Sequence, residues 1–179
     1  MRIIAGNRRG HKLVEIEGDS IRPTTDRVKE SVFNLIQGYV LDANVLDLFA
    51  GSGALGLEAL SRGAKFAVFT DKAKSSCDVV KSNVESLKFG DVCKVINTDY
   101  ESFFARSKEK FDIIFLDPPY NKGFIEPVLS DIAKNERLTD SGIVVLESYE
   151  SDMHDEIDGL TVIKQKKYGR SYVTVYQRG

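Results

Sequence analysis

The chain is poor in the residues that build metal centres, disulfide frameworks and histidine-dependent catalysis. Its two cysteines, Cys77 and Cys93, lack metal-ligand spacing and are too few for a disulfide framework. Reduced, buried thiols of a cytoplasmic protein are expected instead. His11 and His154 stand alone, so neither a zinc set nor a histidine-based triad is supported, and no metal is expected. No apolar run approaches the ~20 residues that span a bilayer, so no membrane partner is expected. The opening Met1-Arg2-Ile3-Ile4-Ala5-Gly6 is too short and too soon basic for a secretory signal. There is no internal repeat and no low-complexity segment. Without an apolar helix face to spare or a coiled-coil heptad, a monomer is expected.

What is present is a chain of 179 residues with 42% hydrophobic side chains, enough for one domain with a real core. The net charge of −2 conceals an asymmetry. Residues 1–14 carry Arg2, Arg8, Arg9 and Lys12 and no acid. Residues 164–179 carry Lys164, Lys166, Lys167, Arg170 and Arg178 and no acid. All 27 acids therefore lie on the body between two basic ends. This pattern suits a localised contact with a polyanion.

Arg2 to Ala5 and His11 to Ile16 read as two short strands around the glycine-bounded turn 6–10. Ile21-Arg22-Pro23 reads as extended, and Thr24 or Thr25 as the cap of a helix with Asp26 in its first turn. From residue 44 strands and helices alternate. Strands are predicted at 45–49, 66–70, 92–97, 113–116 and 142–147, with helices at 55–62, 73–87, 100–106 and 124–135 between them. Alternation of this kind predicts a parallel sheet covered on both faces. Two last strands, 160–167 and 171–177, meet at Tyr168-Gly169-Arg170 without a helix, so one antiparallel strand is expected at that edge.

The first βα junction reads Val45-Leu46-Asp47-Leu48-Phe49-Ala50-Gly51-Ser52-Gly53-Ala54-Leu55-Gly56. Gly51 and Gly53 let the backbone turn sharply and approach a ligand, and the following helix offers free N–H groups. Gly51, Gly53 and Gly56 have dinucleotide-fingerprint spacing, and Asp71 follows Gly51 by 20 residues, so a nicotinamide-dependent dehydrogenase is a rival reading. Three features oppose it. Asp47 would face a pyrophosphate badly but suits an ammonium group. The chain has no room for a substrate domain, and no hydride-transfer partner stands out. Asp99, in Thr98-Asp99-Tyr100, ends the third strand with another acid. Acids ending successive strands fit an amine, ribose hydroxyls and an adenine amino group, the polar parts of S-adenosylmethionine. Each acid could equally cap the helix that follows it, Asp99 above all.

The fourth strand runs into Asp117-Pro118-Pro119-Tyr120. Two prolines remove two backbone donors and stop the strand at the edge where open α/β sheets bind ligands. A carboxylate, free carbonyls and a flat ring suit a planar base with an exocyclic amine.

Together these residues resemble the class I S-adenosylmethionine-dependent methyltransferases. More closely, Arg2-Ile3-Ile4-Ala5-Gly6, Arg8-Arg9-Gly10, the run from Arg22 to Glu30, Asp117 to Tyr120 and Tyr168-Gly169-Arg170 resemble the bacterial 16S ribosomal RNA guanine-N2 methyltransferase family, nearly end to end. The resemblance implies a Rossmann-like α/β fold: a seven-stranded, mostly parallel sheet with helices on both faces. It implies an N-terminal hairpin and helix at 1–40 serving RNA contact and as a cofactor lid, ahead of a catalytic domain at 41–179. S-adenosylmethionine would be held by Asp47, Phe49, Gly51, Ser52, Gly53, Asp71, Lys72, Asp99, Tyr100 and Thr24. Asp117, Pro118, Pro119 and Tyr120 would carry the chemistry. Arg8, Arg9, Lys12, Lys166, Lys167 and Arg170 would meet phosphates of 16S rRNA, within a partly or fully assembled 30S subunit. The Asp-Pro-Pro-Tyr loop also suits adenine-N6 methylation of DNA or RNA, and a related loop serves protein glutamine methylation. A non-catalytic RNA-binding module is the remaining alternative.

Overall fold

The computed structural model describes residues 1–16, 26–119, 123–149 and 157–179. The predicted N-terminal strand pair forms as a minimal hairpin. Ile3 N–H donates to the His11 carbonyl at 2.9 Å and Gly10 N–H to that of Ile3 at 2.8 Å, with Arg2 opposite Lys12 in a single antiparallel bridge. The expected cap at Thr24 or Thr25 lies outside the described residues. Helix α1 (Asp26–Leu35) turns Val32 and Phe33 inward, and a one-turn helix α2 (Gln37–Val40) follows it.

The alternating part then runs β1 (Asn44–Asp47), α3 (Ala54–Ser61), β2 (Phe66–Asp71), α4 (Lys74–Leu87) and β3 (Cys93–Asn97). It continues with α5 (Tyr100–Arg106), β4 (Phe111–Leu116), α6 (Ile125–Lys134), β5 (Leu138–Tyr149), β6 (Leu160–Tyr168) and β7 (Ser171–Arg178). The seven strands form one sheet in the order β3-β2-β1-β4-β5-β7-β6. Strands β1 to β5 are mutually parallel, and β7 is antiparallel to both its neighbours. The antiparallel strand thus inserts one place in from the sheet edge, leaving β6 outermost.

Alternation along the strands divides the core between two faces. Val45, Ala67, Phe69, Ile113, Phe115, Val145 and Val175 pack under the N-terminal hairpin and α1, α3 and α4. Leu46, Val68, Ile114, Leu116, Val144 and Tyr176 pack under α5 and α6. Strand β5 starts at Leu138, ahead of the expected Gly142, because an irregularity lies between Phe111 and Ile113 of β4. Gly142 fits that irregularity: a Cβ there would meet the Phe111 carbonyl oxygen at 2.8 Å.

Residues 1–16 share the core rather than hanging from it. Gly6 has φ +84°, and a Cβ on it would lie 1.7 Å from the Ser61 carbonyl oxygen, so the hairpin presses directly on the end of α3. Glu58, fully buried on α3, accepts from Ile4 N–H at 2.8 Å, Ala5 N–H at 3.0 Å and Arg62 Nε at 2.8 Å. The buried Lys29 ammonium of α1 lies 3.3 Å from the same carboxylate and donates to the Arg2 carbonyl. Burial holds the Lys29 pKa below the usual lysine range, against the pull of Glu58. One buried carboxylate therefore joins hairpin, α1 and α3.

Candidate active site

The sheet order reverses between β1 and β4, the place where open α/β sheets hold ligands. Asp47 ends β1 and pairs in register with Phe115 of β4. Asp117, half-buried, follows two residues beyond Phe115, and so enters beside the turn that leaves β1. Pro118 is buried and Pro119 exposed. Tyr120 lies outside the described residues, as does Thr24.

The glycine turn is tied down from two sides. Asp47 Oδ2 accepts Gly56 N–H at 3.0 Å, and Asp71 Oδ2 accepts Gly51 N–H at 2.9 Å. Asp71 Oδ1 also accepts Ala73 N–H at 2.8 Å. Gly51 and Gly53 both take positive φ, +54° and +79°. Gly56 is needed for packing: a Cβ there would sit 2.3 Å from the Phe69 ring. Asn83 of α4 donates to the Ser52 carbonyl at 3.1 Å and exchanges two bonds with the backbone of Val14. This links the N-terminal segment to the turn.

Asp47 is 3% exposed, and burial pushes its pKa up to about 7, with Gly56 N–H opposing and the nearby Asp71 adding to the rise. A buried carboxylate titrating near neutrality is strongly biased toward a cationic partner. Asp99 is the N-cap of α5, accepting Ser102 N–H at 2.7 Å, and that bond holds its carboxyl below the usual range. The helix-cap alternative for Asp99 is therefore realised. Lys72 is exposed, and its carbonyl accepts Asn97 Nδ2 at 3.0 Å.

Phe49 and Tyr100 meet with ring centroids 6.1 Å apart. Phe124, which the sequence reading missed, stands 6.0 Å from each of them. The three half-buried rings connect the turn after β1, the start of α5 and the residue before α6. Only an aromatic following Gly123 marks Phe124 in the sequence. Glu58 was also missed, although a lone acid in the otherwise apolar helix Ala54–Ser61 was its signal.

The basic residues do not form one patch. Tyr149 of β5 pairs with Ser171 of β7, so the hairpin tip with Gly169 and Arg170 lies at the same sheet edge as the acids. Lys166 pairs with Val173 and Lys167 with Tyr172, so the two lysines project from opposite faces of β6. Lys166 Nζ lies 5.4 Å from the Tyr168 ring centroid and Lys167 Nζ 5.1 Å from that of Tyr172. Arg8 instead donates from Nε to the Leu87 carbonyl at 2.8 Å and stacks over Phe89. Leu87 ends α4, whose 14 residues put it ~20 Å along the helix from the glycine-turn edge. Arg8 and its neighbour Arg9 thus stand at the far end of the molecule from Asp117. Lys12 is exposed on the hairpin.

Among the described residues no helix is long and apolar enough to cross a membrane, and no cluster of His, Cys, Asp and Glu is arranged to hold a metal.

A sheet with this strand order, a glycine turn after the first strand and an acid closing each of the next strands has the fold of the class I methyltransferases. The whole-chain likeness to yhhF of Escherichia coli, at TM-score 0.88 and 36% identity over 99% of this chain and 97% of that one, agrees. The chain belongs to the family described as Conserved hypothetical protein 95, which matches residues 1–177. It is 37% identical over 182 residues to YlbH of Bacillus subtilis (strain 168), covering 99% of each chain. It is 36% identical over 179 residues to Ribosomal RNA small subunit methyltransferase D of Escherichia coli (strain K12), covering 99% of this chain and 90% of that one. The family resemblance and the fold class read from the sequence are borne out.

Proposed function

We propose that the protein transfers a methyl group from S-adenosylmethionine to the exocyclic 2-amino group of a guanine in 16S rRNA, acting as a cytoplasmic monomer on a partly or fully assembled 30S subunit. The relative in Escherichia coli, named as a methyltransferase of small-subunit ribosomal RNA, supports the substrate class. The observation that carries the reading is the convergence of Asp47 and Asp117 from adjacent strands on one switch point.

The residues fit the cofactor. Among the described residues only Ile16 Cδ1 comes within 4.0 Å of where a Cβ on Gly51 would stand, which leaves the backbone there able to meet a ligand closely. Asp47 offers a buried charge to an ammonium group, and Asp71 retains lone pairs for ribose hydroxyls beside its two backbone bonds. With Asp99 Oδ1 engaged by Ser102, the other oxygen is the one that serves an adenine amine. Bound there, the cofactor supplies an electrophilic methyl on a sulfonium.

The amine of guanine is a poor nucleophile because its lone pair is delocalised into the ring. Asp117 and the Pro118 carbonyl accept hydrogen bonds from its two N–H groups and turn the lone pair toward the methyl; the nitrogen, positive once methylated, then releases one proton to Asp117 or solvent. Positioning and charge stabilisation supply most of the rate. Tyr120 stacks on the base, a contact worth ~1–3 kcal/mol. The basic hairpin tip holds the RNA backbone, and residues 1–40 serve RNA contact and cover the cofactor.

The test is transfer of labelled methyl to naked 16S rRNA, to 30S particles lacking the modification and to DNA, followed by identification of the labelled nucleoside. N2-methylguanosine in 16S rRNA is expected. N6-methyladenine would move the activity to the adenine reading, and transfer to no nucleic acid would overturn both.

A further inference from the structure

We infer that Glu147 selects the base: its carboxylate accepts the ring N1–H of the guanine, beside the 2-amino group that Asp117 holds, and so sets the preference for guanine over adenine. The inference rests on the proposed transfer to a guanine amine and adds the residue that recognises the base.

Strand register brings the two carboxylates together. β4 and β5 run parallel, with Phe115 beside Val145 and Leu116 beside Leu146. The next residues in that register are Asp117 and Glu147. Phe115 and Val145 face the core under the N-terminal hairpin, α1, α3 and α4, whereas Leu116 and Leu146 face the opposite core. Alternation therefore turns Asp117 and Glu147 to one face, on strands ~4.8 Å apart. Asp47 belongs to the same face, on β1 at the other side of β4. Across the sheet edge the order is Asp47, Asp117, Glu147. Asp47 serves the cofactor and Asp117 the amine, which leaves Glu147 on the side of the amine away from the cofactor.

On this face Ile143 and Val145 precede Glu147 in β5 and are buried, as is Val173, its partner on β7. Glu147 breaks that apolar row while itself half-buried. Like charges side by side on one sheet face are destabilising. An acid beside Asp117 therefore costs stability that a ligand rich in N–H donors would offset. The Watson–Crick edge of guanine is such a ligand, since N1–H lies next to the amine hydrogens. Each carboxylate has about four lone-pair positions, enough to take these bonds beside others. Adenine also offers an amine, but its neighbouring N1 carries a lone pair, which a carboxylate repels. Asp117 alone would accept either amine, and Glu147 separates them by penalising the wrong base.

The test uses the full-length protein and its methyl-accepting RNA, naked or as 30S particles, with guanine or 2-aminopurine at the methylated position. 2-Aminopurine keeps the 2-amino group, but its N1 is an acceptor. The wild type should prefer guanine by at least about 100-fold in kcat/KM. Glu147→Gln keeps the length of the side chain and supplies an amide N–H that can donate to that N1. Its preference should fall below about tenfold, with guanine slower and 2-aminopurine faster than in the wild type. Any difference in intrinsic amine reactivity cancels between the two proteins. Affinity for S-adenosylhomocysteine should hold, since Glu147 lies two strands from Asp47. A residue that only supported the loop would slow both bases alike, and an unchanged ratio overturns the inference. Equal wild-type rates on the two bases overturn it without any variant. The labelled nucleoside separates the two claims: N2-methylguanosine with an unchanged ratio defeats the inference alone, whereas N6-methyladenine defeats it together with the proposed function.

Discussion

Replacing Asp47 with Asn separates what its charge does from what its shape does. Asn keeps an oxygen for Gly56 N–H, so the glycine turn keeps its tie to α3. The charge is lost. In the folded protein the carboxyl titrates at about 7, against 3.8 for an exposed aspartate. The sign is that of a buried acid. Below pH 3.8 both states hold the proton and there is no effect. Between pH 3.8 and about 7 the unfolded chain releases the proton while the fold retains it, so stability falls as pH rises, then levels off. A shift near three pH units sets a ceiling of roughly 4 kcal/mol on that loss. The free Asp47→Asn protein should therefore be more stable than wild type at pH 7.5 and equal to it near pH 4. Cofactor binding should go the other way. An ammonium group needs the ionised carboxylate, about a tenth of the wild-type population at pH 6 and nine-tenths at pH 8. Affinity for S-adenosylhomocysteine should rise roughly tenfold across that range in the wild type, with proton release in the calorimeter. The variant should bind weakly at every pH, with no such slope. Urea titrations and calorimetry from pH 4 to 8 measure both halves. Equal pH slopes for the two proteins in either assay would refute the reasoning.

Other substitutions probe the frame around the site. Glu58→Ala leaves Lys29 as an unpaired buried cation and frees two backbone donors of the hairpin. It should cost about 3–5 kcal/mol in a urea titration, and a loss under 1 kcal/mol would contradict the three-way role of Glu58. Gly56→Ala drives a methyl into the Phe69 ring. It should cost ~1–3 kcal/mol and loosen the glycine turn, read as weaker cofactor binding beside a lowered melting temperature. Phe124→Ala removes two ring contacts, worth ~1–3 kcal/mol together. Its stability loss should shrink in a Phe49→Leu background, as a double-mutant cycle would reveal.

The alternating part of the fold was legible because its signals are local. Each strand is a short apolar run closed by an acid or a turn, and each helix follows within a few residues. The insertion of β7 between β5 and β6 was not. Two consecutive strands announce a hairpin, but which of them pairs with β5 depends on their registers with Ile143–Tyr149. The N-terminal segment looked like two strands and forms one bridge, because its backbone bonds go partly to Glu58 and Ser61 on α3. Such long-range satisfaction leaves no periodic trace.

The site was legible where sequence spacing equals spatial placement. Asp47 and Asp71, each at a strand end, bond the Gly56 and Gly51 N–H groups that flank the turn. Asp99 shows the limit: the cap and ligand readings use the same residue type at the same position, and the bond to Ser102 is invisible in the chain. The basic ends were read as one kind of residue but divide by geometry. Arg170 shares the edge with the acids, Lys166 and Lys167 take opposite faces, and Arg8 closes the end of α4.

The central claim is that the β4 edge performs chemistry on an amine while the β1 and β2 edges hold the cofactor. The most direct test measures single-turnover methyl transfer to 16S rRNA and cofactor affinity on the same Asp117→Ala protein. The account predicts transfer lowered at least about 100-fold with cofactor affinity within a few-fold of wild type. Equal loss of both, or transfer that persists, would contradict it.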